Sequence, residues 1–212
     1  MKKYRLLKDE TIKIGDRVLY RIEAVRSFSY ANKGDRGGFI ESEKNLSHSD
    51  NAWVFDNARV YGDARVCGNA MVYDNARIYG NAKVCGNAWI FDDAMVYDNA
   101  RIYDNAKVYG EAKVCGNAMV HDYARVYGNV EIVGDAKVRC NEDYIVFKNW
   151  WSSGRYFTWT RTNNKWKVGC FYGTGEDLIR KAYADNEKSG REYERVVNYV
   201  SSIMEDEEQN SN

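Results

Sequence analysis

Asn51 to Cys140 reads NAWVFD, NARVYG, DARVCG, NAMVYD, NARIYG, NAKVCG, NAWIFD, DAMVYD, NARIYD, NAKVYG, EAKVCG, NAMVHD, YARVYG, NVEIVG, DAKVRC. The period of six never breaks. Alanine stands second in fourteen of the fifteen units and Val or Ile fourth in all of them, so a short strand turns both to one side and the third and fifth residues to the other. Gly or Asp closes most units and Asn, Asp or Glu opens most of the next, which is turn chemistry suited to φ > 0. One such strand cannot bury its own small apolar face. Stacked coils bury a continuous Ala/Val/Ile core, which is why repeats of this kind come in arrays.

The pattern resembles the hexapeptide-repeat family, and the resemblance covers all 90 residues of the array. It implies an all-β solenoid: a left-handed parallel β-helix with three repeats per coil, hence about five 18-residue coils. The handedness comes from the resemblance alone, because the usual crossover preference is right-handed. One departure stands out: Tyr, Phe or Cys follows the inward aliphatic, where the family usually has a small or acidic residue. Positions 18 apart then stack at roughly 4.8 Å, the spacing of neighbouring strands.

The stacking sorts the outward residues onto three faces. The first carries Trp53, Phe55, Met71, Tyr73, Trp89 and Phe91, followed by Lys107, Tyr109, Arg125 and Tyr127. The second holds Arg59 and Arg77 beside Tyr61, Tyr79 and Tyr97, and the third holds Arg65, Lys83 and Arg101 beside Cys67, Cys85 and Tyr103.

Residues 1–50 read as strands and turns forming an N-terminal β cap, since a solenoid needs its open hydrophobic end covered. The stretch Gly34 to Gly38 has no following helix and no Gly-Lys-Ser/Thr ending, so it reads as a turn rather than a phosphate loop. Past Cys140 the repeat stops. Residues 141–206 read as a small α+β module: aromatic strands IVFKNWW, YFTWTR and KWKVGCFYG, a helix capped by Thr174 with Asp177, and a second helix from about Arg191 to Met204 capped by Ser189 with Glu192. Residues 207–212 read as an acidic, frayed tail. This module, with GDRGGFIESEKNLS before the repeats, resembles uncharacterised hexapeptide-repeat proteins of phages and prophages. The resemblance implies an accessory gene and no stated activity.

Lys plus Arg equals Asp plus Glu, 31 each, so no global field draws the chain to nucleic acid or to an anionic membrane. MKKYRLLKDE is charged throughout and no apolar run has spanning length. A cytoplasmic protein is expected, in the host cytoplasm if the gene is carried by a phage. The five cysteines include no CxxC pair, a usage that suggests reduced thiols rather than a disulfide framework or a metal site.

Three functions compete. Many hexapeptide-repeat proteins are trimeric acyltransferases that take an acyl-coenzyme and use a histidine base, but this array has no inserted loop and only two histidines, His48 and His121. His121, next to Asp122, is the one catalytic candidate. A nucleotide or nucleic acid could lie on Arg59 and Arg77 or on Arg65, Lys83 and Arg101 with their aromatic neighbours, though the corner aspartates oppose a long footprint. The favoured expectation is a non-catalytic interaction protein without cofactor or metal. It would hold a protein partner or its own copies through the apolar patch Trp53, Phe55, Met71, Tyr73, Trp89 and Phe91. In a phage setting such binding would inhibit a host immune effector or sequester its signal.

Overall fold

The computed structural model describes residues 2–210 and divides into two compact units, with the boundary between Asp143 and Tyr144. In the first unit every hexad supplies one two-residue strand, from Trp53–Val54 to Lys137–Val138. Strands 18 residues apart pair in parallel and in register: Trp53 beside Met71 beside Trp89, Arg59 beside Arg77, and Arg65 beside Lys83 beside Arg101. The second-position alanines and fourth-position Val and Ile side chains are buried at no more than 1% exposure. The inward assignment therefore holds along the whole array.

The corners explain the sixth residue. It adopts φ between 48° and 72° at every corner from Asp56 to Gly134, a region open to Gly and tolerated by Asp. Aspartate adds a bond that glycine cannot make. Asp74 Oδ2 accepts the Asp92 N–H at 3.2 Å and Asp92 Oδ2 accepts the Gly110 N–H at 2.9 Å, each joining neighbouring coils. Asparagines at the following position form side-chain ladders, Asn51 to Asn69 to Asn87 to Asn105 at 3.0–3.1 Å.

The ladder has a direction, and the direction dictates the caps. N–H groups point toward the C-terminal coil, as Lys83 N does to Ala100 O at 2.9 Å. The N-terminal end is thus left with carbonyls and the C-terminal end with N–H groups, and buried backbone groups of either kind need partners. At the N-terminal end donors arrive. Phe39, Glu41 and Ser47 donate their backbone N–H to Ala58, Val60 and Val66 at 2.9–3.1 Å. The buried Asn45 side chain donates to Gly62 O and Ala64 O, and the Lys3 ammonium donates to Asp50 O and Ala52 O. At the other end an acceptor arrives: the buried Asp143 carboxylate takes the N–H groups of Arg139 and Cys140.

These contacts correct the coil count. Ile40 pairs with Val60 and Leu46 with Val66, both in parallel, so residues before the regular array supply two sides of a further turn, giving about six turns rather than five. The antiparallel strands Tyr4–Ile14 and Arg17–Ala24 extend the second face beyond Arg36–Ile40 into one eight-stranded sheet. Gly37 and Gly38 are glycine because the first coil is too close for anything larger. A Cβ on Gly37 would lie 2.5 Å from Val54 O and one on Gly38 2.6 Å from Ala58 O.

Lys3 is fully buried, and desolvation brings its pKa down from 10.5 to about 8 despite the pull of Asp50. Above that value the unfolded chain holds a proton that the folded chain has released, so folding is favoured progressively as pH rises from about 8 toward 10.5. Urea unfolding of wild type and Lys3→Met from about pH 7 to about 9.5 should show a stability difference that moves in favour of wild type above about pH 8. Parallel pH profiles would mean that this ammonium is not desolvated.

The second unit is an antiparallel sheet of four strands, Tyr144–Lys148, Tyr156–Thr160, Lys165–Val168 and Phe171–Gly173, with helices Gly175–Asp185 and Glu187–Asn210. Trp151, Phe157, Trp159, Trp166, Leu178, Tyr193 and Val200 form its core, while Trp150 is exposed. The segment expected as one strand over KWKVGCFYG is split, with Gly169 at φ +55° between its halves. Thr174 caps the first helix as expected, its hydroxyl oxygen accepting the Asp177 N–H at 3.2 Å. The second helix starts earlier than Ser189 because Asn186 Oδ1 accepts the Ser189 N–H at 2.8 Å. It also runs on to Asn210, through most of the stretch expected as a frayed tail; residues 211–212 lie outside the described residues.

Candidate interaction surface

Of the six residues expected to form an apolar patch, Trp53 is not at the surface. It is 1% exposed, with the Phe28 ring packed edge-on at 5.2 Å and Tyr4 at 6.1 Å. The N-terminal segment covers the first coil of this face, a contact that periodicity cannot reveal. Phe55, Met71, Tyr73, Trp89 and Phe91 remain partly exposed.

These side chains belong to a longer array. Phe55 meets Tyr73 edge-on at 6.0 Å, and from Tyr73 the rings stack nearly parallel through Phe91, Tyr109 and Tyr127, with centroids 4.7–5.3 Å apart. The spacing is that of the strands beneath. Stacked rings hide their faces against one another and leave their edges outward, which removes part of the apolar exposure at no cost to the core. The Lys107 ammonium lies 4.2 Å over the Trp89 indole, a cation–π contact that shields that ring as well. Tyr127 is the most exposed member of the column, at 49%.

The second face repeats the device. Tyr61, Tyr79 and Tyr97 stack at 5.1 and 4.9 Å with interplanar angles of 4° and 2°. Desolvation raises the Tyr97 pKa, and the Cys115 side chain adds to the shift. Arg59 and Arg77 flank this column in register, Arg59 with a buried Nε that has no hydrogen-bond partner. Arg65, Lys83 and Arg101 line up on the third face, all exposed. None of the five cations has an ion pair among the described residues, and the structure divides them between two faces rather than gathering them into one site. Bases need free ring faces to stack on. In the tyrosine column the faces between neighbouring rings are already taken up by each other.

The third face corrects the cysteine reading. Cys67 and Cys85 are joined in a disulfide, with Cα atoms 4.7 Å apart. The signal was in the spacing: 18 residues separate them, so they are register partners on adjacent coils. Cys115, at the same position of its hexad, falls on the second face and takes no part in a disulfide. Farther along the column, His121 stacks on Tyr103 at 4.8 Å and 3°, and its Nδ1 lies 3.2 Å from Asp122 Oδ2. The corner thus does turn the Asp122 carboxylate toward the histidine. His48 belongs to the N-terminal cap, stacked on Tyr4 at 4.1 Å and accepting the Lys3 N–H.

Comparison with known families finds that the repeat described as YdcK Beta solenoid repeat matches residues 64–77. Comparison with curated proteins finds no match. Among the described residues no helix is long and apolar enough to cross a membrane. The solenoid match falls inside the array whose strands stack in parallel every third hexad, and sequence and structure together make residues 51–140 a hexapeptide-repeat-like parallel β-helix.

Proposed function

We propose that this chain is a non-catalytic binding scaffold whose first face, centred on Trp89, contacts a protein partner. The observation that carries the reading is the unbroken column Phe55, Tyr73, Phe91, Tyr109 and Tyr127 running beside Met71 and Trp89. It presents ring edges, phenol hydroxyls and a thioether in a fixed row. Aromatic and methionine side chains are enriched where protein surfaces meet, and a row held by the backbone ladder loses little conformational freedom on binding. Because the ring faces are occupied, edge-on contact with a protein suits this surface better than stacking of nucleobases. Inhibition of a host effector would be one consequence of such contact in a phage setting.

Trp89→Glu tests the assignment without touching the Ala/Val core, because the new carboxylate sits beside Lys107. Arg77→Glu, on the second face, is the control. Once melting curves show both variants folded, the tryptophan variant should lose partner affinity by about 2 kcal/mol or more, roughly thirtyfold. The arginine variant should keep it. Equal capture by wild type and Trp89→Glu in a quantitative pull-down would remove this face from consideration. A change of mass in light scattering with Trp89→Glu alone would identify the partner as a second copy of the chain.

A further inference from the structure

The corner beyond the third face brings three metal-ligating side chains together. One ligand atom each from Asp104, His121 and Asp122 lies within 4.8 Å of the others. Asp104 and Asp122 are stacked corner residues 18 apart, both with φ of 57°, and Asp104 Oδ2 accepts the Asp122 N–H at 3.4 Å. The Tyr103 ring, parallel to the imidazole at 4.8 Å, fixes its plane, and both carboxylates are exposed, so the site is open to solvent.

A comparison within the same molecule separates structure from binding. Asp56, Asp74 and Asp92 stack at another corner in the same left-handed conformation and with the same bonds to the N–H above. Their neighbours are Phe55, Tyr73 and Phe91. Stacked corner aspartates are therefore part of the coil and need no cation. What changes at the third corner is the ring: an imidazole with a ligating nitrogen replaces a phenyl or phenol at the position that leans on the carboxylates. An ion pair between His121 and Asp122 would need only one of the two acids.

We propose that Asp104, His121 and Asp122 bind one divalent transition-metal ion of the zinc class, with water completing its coordination. One imidazole nitrogen with two carboxylate oxygens suits Zn²⁺, Co²⁺ or Ni²⁺. Ca²⁺ and Mg²⁺ favour all-oxygen shells. The exposed aspartates can close on an ion by side-chain rotation, without moving the corner backbone.

Calorimetric titration of the full chain with ZnCl₂ tests the site, with the exposed thiols of Cys140 and Cys170 alkylated beforehand. One ion per chain should bind, and excess MgCl₂ should not displace it. His121→Phe restores the ring found beside the other aspartate corners and so keeps the column stacked. Asp104→Asn keeps an acceptor for the Asp122 N–H. Each variant should weaken zinc binding more than tenfold while melting like wild type. Absence of saturable binding to wild type overturns the proposal. So does wild-type affinity in either folded variant, since each removes one ligand of three. Should a variant fail to fold, zinc-induced shifts of the His121 ring resonances in the wild-type chain decide instead: shifts that saturate at one equivalent support the site, and an unmoved ring overturns it.

Discussion

Trp53→Ala should destabilise the first unit by about 3–5 kcal/mol, the range for removing a large buried aromatic. Trp89→Ala, on the same face two coils on, should cost much less. By periodicity the two tryptophans are equivalent, both third in their hexads and both in register with Met71. Their surroundings differ. Trp53 is sealed by Phe28 and Tyr4 at the end of its sheet, so its loss leaves a cavity under the N-terminal segment. Trp89 is partly exposed and roofed only by the Lys107 side chain, and solvent can fill its place. Urea unfolding of the two variants measures the contrast. Equal losses would mean that the N-terminal segment does not hold down the first coil.

Ala100→Leu should cost about 1–3 kcal/mol or more through overpacking. Ala100 lies between Ala82 and Ala118 in one inward column, all at 0% exposure. The strands there are locked by Lys83 N to Ala100 O and Arg101 N to Ala118 O, both 2.9 Å. Three additional carbon atoms next to the corner have no space without prising coils apart. The one hexad that departs from alanine, with Val130 in that position, comes near the C-terminal end of the array, next to last of the fifteen. Ala82→Leu should behave alike, and thermal melts indistinguishable from wild type for both would mean that the alanine column does not line the core.

What could be read from the sequence follows from what repeats. Ala, Val or Ile and the Gly/Asp corners recur every six residues, and their burial and conformation follow from that period alone. Features set by the ends of the array do not repeat. Ile40 and Leu46 stand six apart, but each lies 20 residues before its partner, Val60 or Val66, instead of 18, and Gly38 and Lys44 stand where alanine would precede them, so the further turn was hidden in the cap. Lys3, Asn45 and Asp143 each appear once, and only the direction of the parallel ladder explains why donors gather at one end and a carboxylate at the other. The Cys67–Cys85 pairing was legible at 18 residues and lost when cysteines were compared at six. At the candidate surface the columns could be listed from sequence. That the rings would spend their faces on one another, and that Trp53 would be covered, depended on distances no pattern contains.

The claim that the first face is the contact surface is tested most directly by hydroxyl-radical footprinting of the chain alone and saturated with its captured partner. Protection should appear at Met71, Tyr73, Trp89 and Tyr109 and leave Tyr79 and Tyr97, on the second face, as reactive as before. Protection of those two tyrosines with Trp89 and Tyr109 unchanged would contradict the account and move the interface to the arginine-flanked column.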